Sequence, residues 1–186
     1  GGSAAIIAIT KAILELDIDI ELVTAIPTTE NTISETAIKP GDVVKAYNGK
    51  SVEILNTDAE GRLAMADALA YLSKNEKPDY LIDAATLTGS TYIALGLKIG
   101  GFLGNNPERN ESFKVASQDS GEPFWQFPLP KTYREQIDGT ISDITNIGAN
   151  YKPYGGTMTA GLFLREFIGD CKNWIHIDMS APTYAI

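Results

Sequence analysis

Residues 39–72 read KPGDVVKAYNGKSVEILNTDAEGRLAMADALAYL, and the hydrophobic period changes once along them. Val43 to Tyr47 and Ser51 to Leu55 are β-rich runs joined by Asn48-Gly49, the dipeptide that best tolerates the positive φ angles of a tight hairpin turn. After Gly61, the residues Leu63, Ala66, Leu69 and Ala70 recur on one side at helical spacing. The predicted order is hairpin, acidic turn, helix, with NTDAEGRL (residues 56–63) at the junction.

On either side the same alternation continues. Ala4 to Leu14 is almost unbroken in apolar residues and predicts a buried helix packed on a sheet. Leu16, Ile18, Ile20 and Leu22 alternate with acids, which predicts a strand ended by Pro27. Downstream, Tyr80 to Ala85 reads as a buried strand leading through TLTGST into a helix. Leu97 to Leu103 and Asn173 to Asp178 read as strands, Glu108 to Ser117 as a surface helix, and Thr157 to Phe167 as an amphipathic helix. Residues Glu122 to Lys152, rich in proline, glycine and aromatics, read as loops around one short helix. The fold class is α/β: a mixed, largely parallel sheet sandwiched between helices, with the site at strand ends and at the helix start after Gly61.

The chain has 186 residues, 44% of them hydrophobic, enough for one domain-sized core. Its net charge of −9, from 15 basic and 24 acidic residues, repels phosphate backbones and anionic membranes, so nucleic acid is an unfavoured partner. The single cysteine, Cys171, cannot close an internal disulfide, and no window is long and apolar enough for a membrane span. A cytoplasmic location fits this pattern. The opening GGSAAIIAIT has no basic region of the kind that starts a signal peptide, and it reads as the interior of a longer chain.

Asp58 and Glu60, two positions apart, would share one side of an extended segment, as a hard-cation site or an acid/base pair requires. About three acid-x-acid pairs arise by chance in a chain this acidic. Glu15, Asp17, Asp19 and Glu21 supply three more, read as the solvated face of a strand. Spacing alone therefore leaves Asp58 and Glu60 between a metal site and a polar surface. Two neighbours favour the site: the helix after Gly61 turns free N–H groups toward it, and Arg62 adds a planar bidentate donor for an anion. Cation ligands beside anion donors suit metal-assisted hydrolysis. A magnesium phosphohydrolase could use the same three side chains, but no glycine-rich phosphate loop accompanies them. His176, in WIHID, reads as a hydrogen-bonded core histidine and Cys171 as an inert thiol; TLTGST has no matching Ser-His-Asp set.

NTDAEGRL resembles the signature octapeptide of the M17 leucyl aminopeptidase, or cytosol aminopeptidase, family. The resemblance extends to TAIPTTEN (24–31), KPGDVVKAYNGKSVEILNTDAEGRL (39–63), DAATLTG (83–89), GTMTAGLFLREF (156–167) and WIHIDMSAP (174–182). It implies a zinc-peptidase-like catalytic domain and a two-metal aminopeptidase that releases N-terminal residues from peptides, with leucine-type preference. By the same resemblance Asp58 and Glu60 are metal ligands, for manganese, zinc or magnesium. Arg62 is then catalytic and holds a bicarbonate with the help of Gly61 and Leu87. Thr86, Gly89, Ser180 and Thr183 would form the pocket for the first side chain of the peptide. HIDMSAP differs from the HIDIAGP of many members and puts a serine beside that pocket. The family also uses an aspartate and two lysines from a KGITFDTGG-like segment, and an aspartate in an Asp-Met pair before the equivalent of GGSAA. None of these falls within residues 1–186. The chain is thus expected to be part of a C-terminal catalytic domain, without the N-terminal domain, the first metal-ligand segment and the extreme C-terminus. It is expected to be inactive alone and to belong to a homohexamer when whole. The alternative is a non-catalytic fragment or paralogue with an assembly role.

Overall fold

The computed structural model of the chain describes residues 1–148 and 154–183. The hairpin forms as β1 (Val43–Lys45) and β2 (Ser51–Glu53), antiparallel with Val44 opposite Val52. Its connection is a glycine-bulge turn. The Gly49 N–H donates to the Ala46 carbonyl at 2.8 Å, and in this turn only Gly49 takes a positive φ, +91°. Asn48 instead caps the turn, its side-chain oxygen accepting from the Lys50 N–H.

Helix α1 (Gly2–Glu15) precedes the hairpin and α2 (Gly61–Asn75) follows it. Strand β3 (Leu81–Ala85) leads into α3 (Gly89–Leu95), then β4 (Gly100–Gly104) into α4 (Pro107–Ser120). The middle carries β5 (Phe124–Gln126), a 3₁₀ segment (Lys131–Ile137) and β6 (Ile144–Thr145), where sequence patterning predicted loops and one helix. Helix α5 (Gly156–Arg165) and β7 (Trp174–Asp178) complete the described elements.

The strands form two sheets. β6 adds in parallel to β2, giving the order β1-β2-β6. The larger sheet runs β3-β7-β4-β5, parallel in its outer pairs and antiparallel where β7 meets β4. Helices flank both, so the architecture is mixed α/β. One core joins them: Val52 and Ile54 from the hairpin, Leu69 from α2, Phe163 and Phe167 from the α5 region and Trp174 from β7 are all buried together. Each large apolar side chain so buried contributes about 1.5–3 kcal/mol.

Two expectations near the N-terminus are not met. Helix α1 forms, but its apolar residues Ile7, Ile9 and Leu14 are exposed and only Gly2 is buried. Gly2 sits so close to the backbone of Ala84 that a Cβ would collide with it, which brings the first turn of α1 onto β3. Residues Leu16 to Leu22 form no strand and leave Leu16, Ile18, Ile20 and Leu22 exposed. Alternation qualifies a segment for a sheet, but only a ladder partner makes it a strand. Here the Ile20 N–H turns back to the Ile18 carbonyl at 2.8 Å.

Candidate active site

The chain leaves β2 through Asn56, whose extended backbone and side-chain oxygen cap a 3₁₀ turn, Thr57–Ala59, by accepting the Asp58 N–H at 2.9 Å. Asp58 and Glu60 are both exposed on this turn. The segment is not extended: capture of the Asp58 N–H winds it tightly, so the two carboxylates owe their positions to the turn and not to a strand pleat. Among the described residues, no group of three or more His, Cys, Asp or Glu is arranged to hold a metal ion. Two exposed hard oxygen donors suit a divalent cation, but they fill only part of its coordination shell. The donor set therefore fits the implied metals in part.

Asn146 braces this turn from about ninety residues away. Its Oδ1 accepts the N–H groups of Leu55 and Asn56 at 2.8 and 3.3 Å, and its Nδ2 donates to the carbonyls of Asn56 and Ala59. Its own carbonyl accepts Arg62 Nη1 at 2.8 Å. Sequence reasoning missed this residue, because an asparagine in a loop-rich region carries no periodic signal.

Arg62 is buried, and its Nε has no hydrogen-bond partner. Burial pulls its guanidinium down to about 10, against the attraction of Asp178 and Glu60. No side chain caps the start of α2, and the Leu63 N–H donates to the Glu60 carbonyl at 2.9 Å. Gly61 lies beside Leu87: a Cβ on Gly61 would stand 4.0 Å from Leu87 Cδ1. The structure thus brings Gly61, Arg62 and Leu87 into one region. The Leu87 N–H, however, donates to Asp178 Oδ1 at 3.2 Å and is directed inward.

Thr86, Gly89, Ser180 and Thr183 meet in one open depression of ≈ 480 Å³, lined also by Gly1, Thr88 and Tyr92. The loop after β3 supplies one wall and the turn after β7 the other. Asp178, fully buried at the end of β7, ties the walls together. Oδ2 accepts the hydroxyls of Thr88 and Thr91 at 2.6 and 2.8 Å. Oδ1 accepts the Ser180 hydroxyl at 2.6 Å and the Ser180 N–H at 3.2 Å. The signal for it was an acid inside the apolar run WIHID, a residue type almost never fully buried without partners.

His176 is a buried core histidine, as its setting predicted. Its Nδ1 lies 2.5 Å from Asp83 Oδ1. Burial lowers its imidazole pKa, but Asp83, and beyond it Asp178, outweigh this and hold it above the usual value. Cys171 is free and half-buried.

Mixed sheets flanked by helices, with an acidic turn and a small-residue loop near strand ends, make this an α/β domain with its candidate site at strand ends. A solved mutant of tomato leucine aminopeptidase superposes with a TM-score of 0.79 at 39% identity, over 84% of this chain and 30% of that one. The chain belongs to the cytosol aminopeptidase family: the model of that family's catalytic domain matches residues 1–186. A probable cytosol aminopeptidase of Prochlorococcus marinus is 48% identical over 99% of the chain, and one of Mycobacterium marinum 41% identical over 99%. The chain spans 37% and 35% of the lengths of these two relatives, respectively. Among the described residues no helix is long and apolar enough to cross a membrane.

Proposed function

We propose that the whole protein carrying this chain is a metal-dependent aminopeptidase of the cytosol that releases N-terminal residues, leucine-type side chains preferred, from peptides. Residues 1–186 would be the part of its catalytic domain that binds the first side chain and handles the anion, and would be inactive alone. The observation that carries this reading is one loop with two neighbours. Residues 86–89 border the depression on one side and place Leu87 against Gly61 on the other. A substrate whose first side chain fills the depression then has its scissile amide facing the acidic turn and Arg62.

Asp58 and Glu60 would hold two divalent ions, manganese, zinc or magnesium, together with ligands outside this chain. When bound, such ions supply Lewis acidity and bicarbonate supplies a proton relay. Arg62 and the Gly61 N–H would hold the bicarbonate. Because the Leu87 N–H is occupied by Asp178, Leu87 would shape this place through its side chain. Buried and braced on Asn146, Arg62 is fixed in position before any ligand arrives, which is the preorganisation that oxyanion stabilisation requires. A homohexamer is the proposed assembly.

The test is hydrolysis of leucyl p-nitroanilide by the whole protein. Turnover abolished by a chelator and restored by Mn²⁺ or Zn²⁺ is the expected result. Failure to cleave any aminoacyl amide with metal and bicarbonate present would overturn the proposal.

A further inference from the structure

Asn146 is wholly buried, and every hydrogen-bonding position of its side chain is taken. A carboxamide offers two acceptor positions and two donor hydrogens. Here Oδ1 takes the N–H groups of Leu55 and Asn56, while Nδ2 gives to the carbonyls of Asn56 and Ala59 at 2.6 and 3.4 Å. These groups lie on either side of Asp58, and the Ala59 carbonyl belongs to the peptide that enters Glu60. The Asn146 backbone is committed as well. Its N–H donates to the Glu53 carbonyl at 2.9 Å, next to the Glu53–Thr145 pair of the β2–β6 ladder, and its carbonyl accepts Arg62 Nη1. An ionised aspartate there would accept but not donate, and leucine would have the shape without the polar atoms. Glutamine would carry its carboxamide one methylene too far from a backbone that the ladder holds.

We infer that Asn146 is a positioning residue for the reaction: its side chain holds the backbone that carries Asp58 and Glu60, its carbonyl holds Arg62, and the cation-binding and anion-binding halves of the site thereby keep a fixed relation to each other. Being buried, Asn146 acts only through the groups it holds. Partners that orient metal ligands typically matter about 10–100-fold in metal affinity or activity. The depression formed by residues 86–89 and the turn after β7 is not among the groups that Asn146 holds, so binding of the first side chain should be insensitive to it. The inference rests on the aminopeptidase reading for what the two halves do, and not for the geometry that joins them.

The test compares Asn146→Ala with Ile144→Val in the whole protein, by calorimetric titration with Mn²⁺ and by hydrolysis of leucyl p-nitroanilide. Ile144 is fully buried on β6, and trimming it thins the core without removing a hydrogen bond. Asn146→Ala should weaken Mn²⁺ binding by at least about tenfold and lower kcat by about 10–100-fold, with KM within about threefold. Ile144→Val should leave all three within about twofold. Combined with Arg62→Ala, Asn146→Ala should lower kcat by clearly less than the product of the two separate losses, because both changes disturb one unit. Wild-type kcat and Mn²⁺ affinity in Asn146→Ala, equal losses in Ile144→Val, or losses that simply multiply would each overturn the inference. If Asn146→Ala does not fold, hydrogen exchange of the wild type decides. The Leu55 amide should exchange as slowly as that of Ile54, which the Asp42 carbonyl holds at 2.8 Å, and rapid exchange overturns the brace. A whole protein that binds Mn²⁺ but cleaves no aminoacyl amide would sink the aminopeptidase reading, while the tenfold loss of Mn²⁺ affinity would still uphold Asn146 as the brace of the turn.

Discussion

Asp83 and His176 face each other across the parallel β3–β7 pair, and one carboxylate serves two strand positions. Asp83 Oδ1 meets His176 Nδ1, and Oδ2 accepts Trp174 Nε1 at 2.7 Å. The ring of Trp174 stacks on that of His176 with 6.5 Å between centroids. A half-buried carboxylate thus satisfies two buried donors beneath the site.

Replacing Asp83 with Ala strands both donors in a dry interior. The expected loss of stability is about 3–5 kcal/mol, the range for breaking a buried charged pair by removing one partner. Urea denaturation measures it, and a change below about 1 kcal/mol would show that the indole and imidazole find other partners.

Arg62→Ala in the whole protein should lower kcat by about 10²–10³ and change KM little, because a preorganised anion-holding group acts mainly in the transition state. Steady-state kinetics on leucyl p-nitroanilide with and without added bicarbonate checks this. Bicarbonate should help the variant little. An unchanged kcat would make Arg62 a structural partner of Asn146 only.

Glu166 joins three parts of the fold: it accepts Lys50 Nζ of the hairpin and Arg134 Nε of the 3₁₀ segment, each at 2.6 Å, from the end of α5. Burial raises its pKa, but the two hydrogen-bonded cations outweigh that and hold the carboxyl below the usual glutamate range. A carboxyl lowered in the folded state contributes stability above its unfolded value, and this contribution is lost as pH falls through the folded value. Glu166→Gln should therefore destabilise by about 1–2 kcal/mol at neutral pH. Thermal melts should show the gap between variant and wild type closing as pH falls below the usual glutamate range. A gap that stays constant down to the lowest pH at which both proteins remain folded would point to packing instead.

Residues 1–186 alone should bind at most one Mn²⁺ or Zn²⁺, weakly, and Glu60→Gln should weaken it further, since two carboxylates cannot complete the shells of two ions. Calorimetric titration decides. Two tightly bound ions would mean that ligands other than Asp58 and Glu60 contribute.

The hairpin, α2, α5 and the strands β3, β4 and β7 were legible because local period and turn chemistry agree with the tertiary structure that buries them. Leu16 to Leu22 has the period of a strand and no partner strand, which no local pattern reveals. The site divides the same way. NTDAEGRL identifies itself as a unit, and the residues implied to shape the side-chain pocket do converge on one depression. What holds them was hidden, because Asn146 and Asp178 act at sequence separations of about ninety residues. The direction of the Leu87 N–H followed from Asp178 and so was equally out of reach.

The Asn146 brace has a consequence for the order of events at the ribosome. The carboxylates of the acidic turn emerge before Asn146, with the hairpin that precedes them and the helix that follows. The side chain that pins their backbone is translated roughly ninety residues later, and closing the loop between them costs entropy that the Asn146 hydrogen bonds and the pairing of β6 with β2 offset. Until then a nascent chain displays the two acids and an arginine without their final geometry. Maturation of the site is therefore a late step, coupled to translation of the middle segment and not to that of the motif itself.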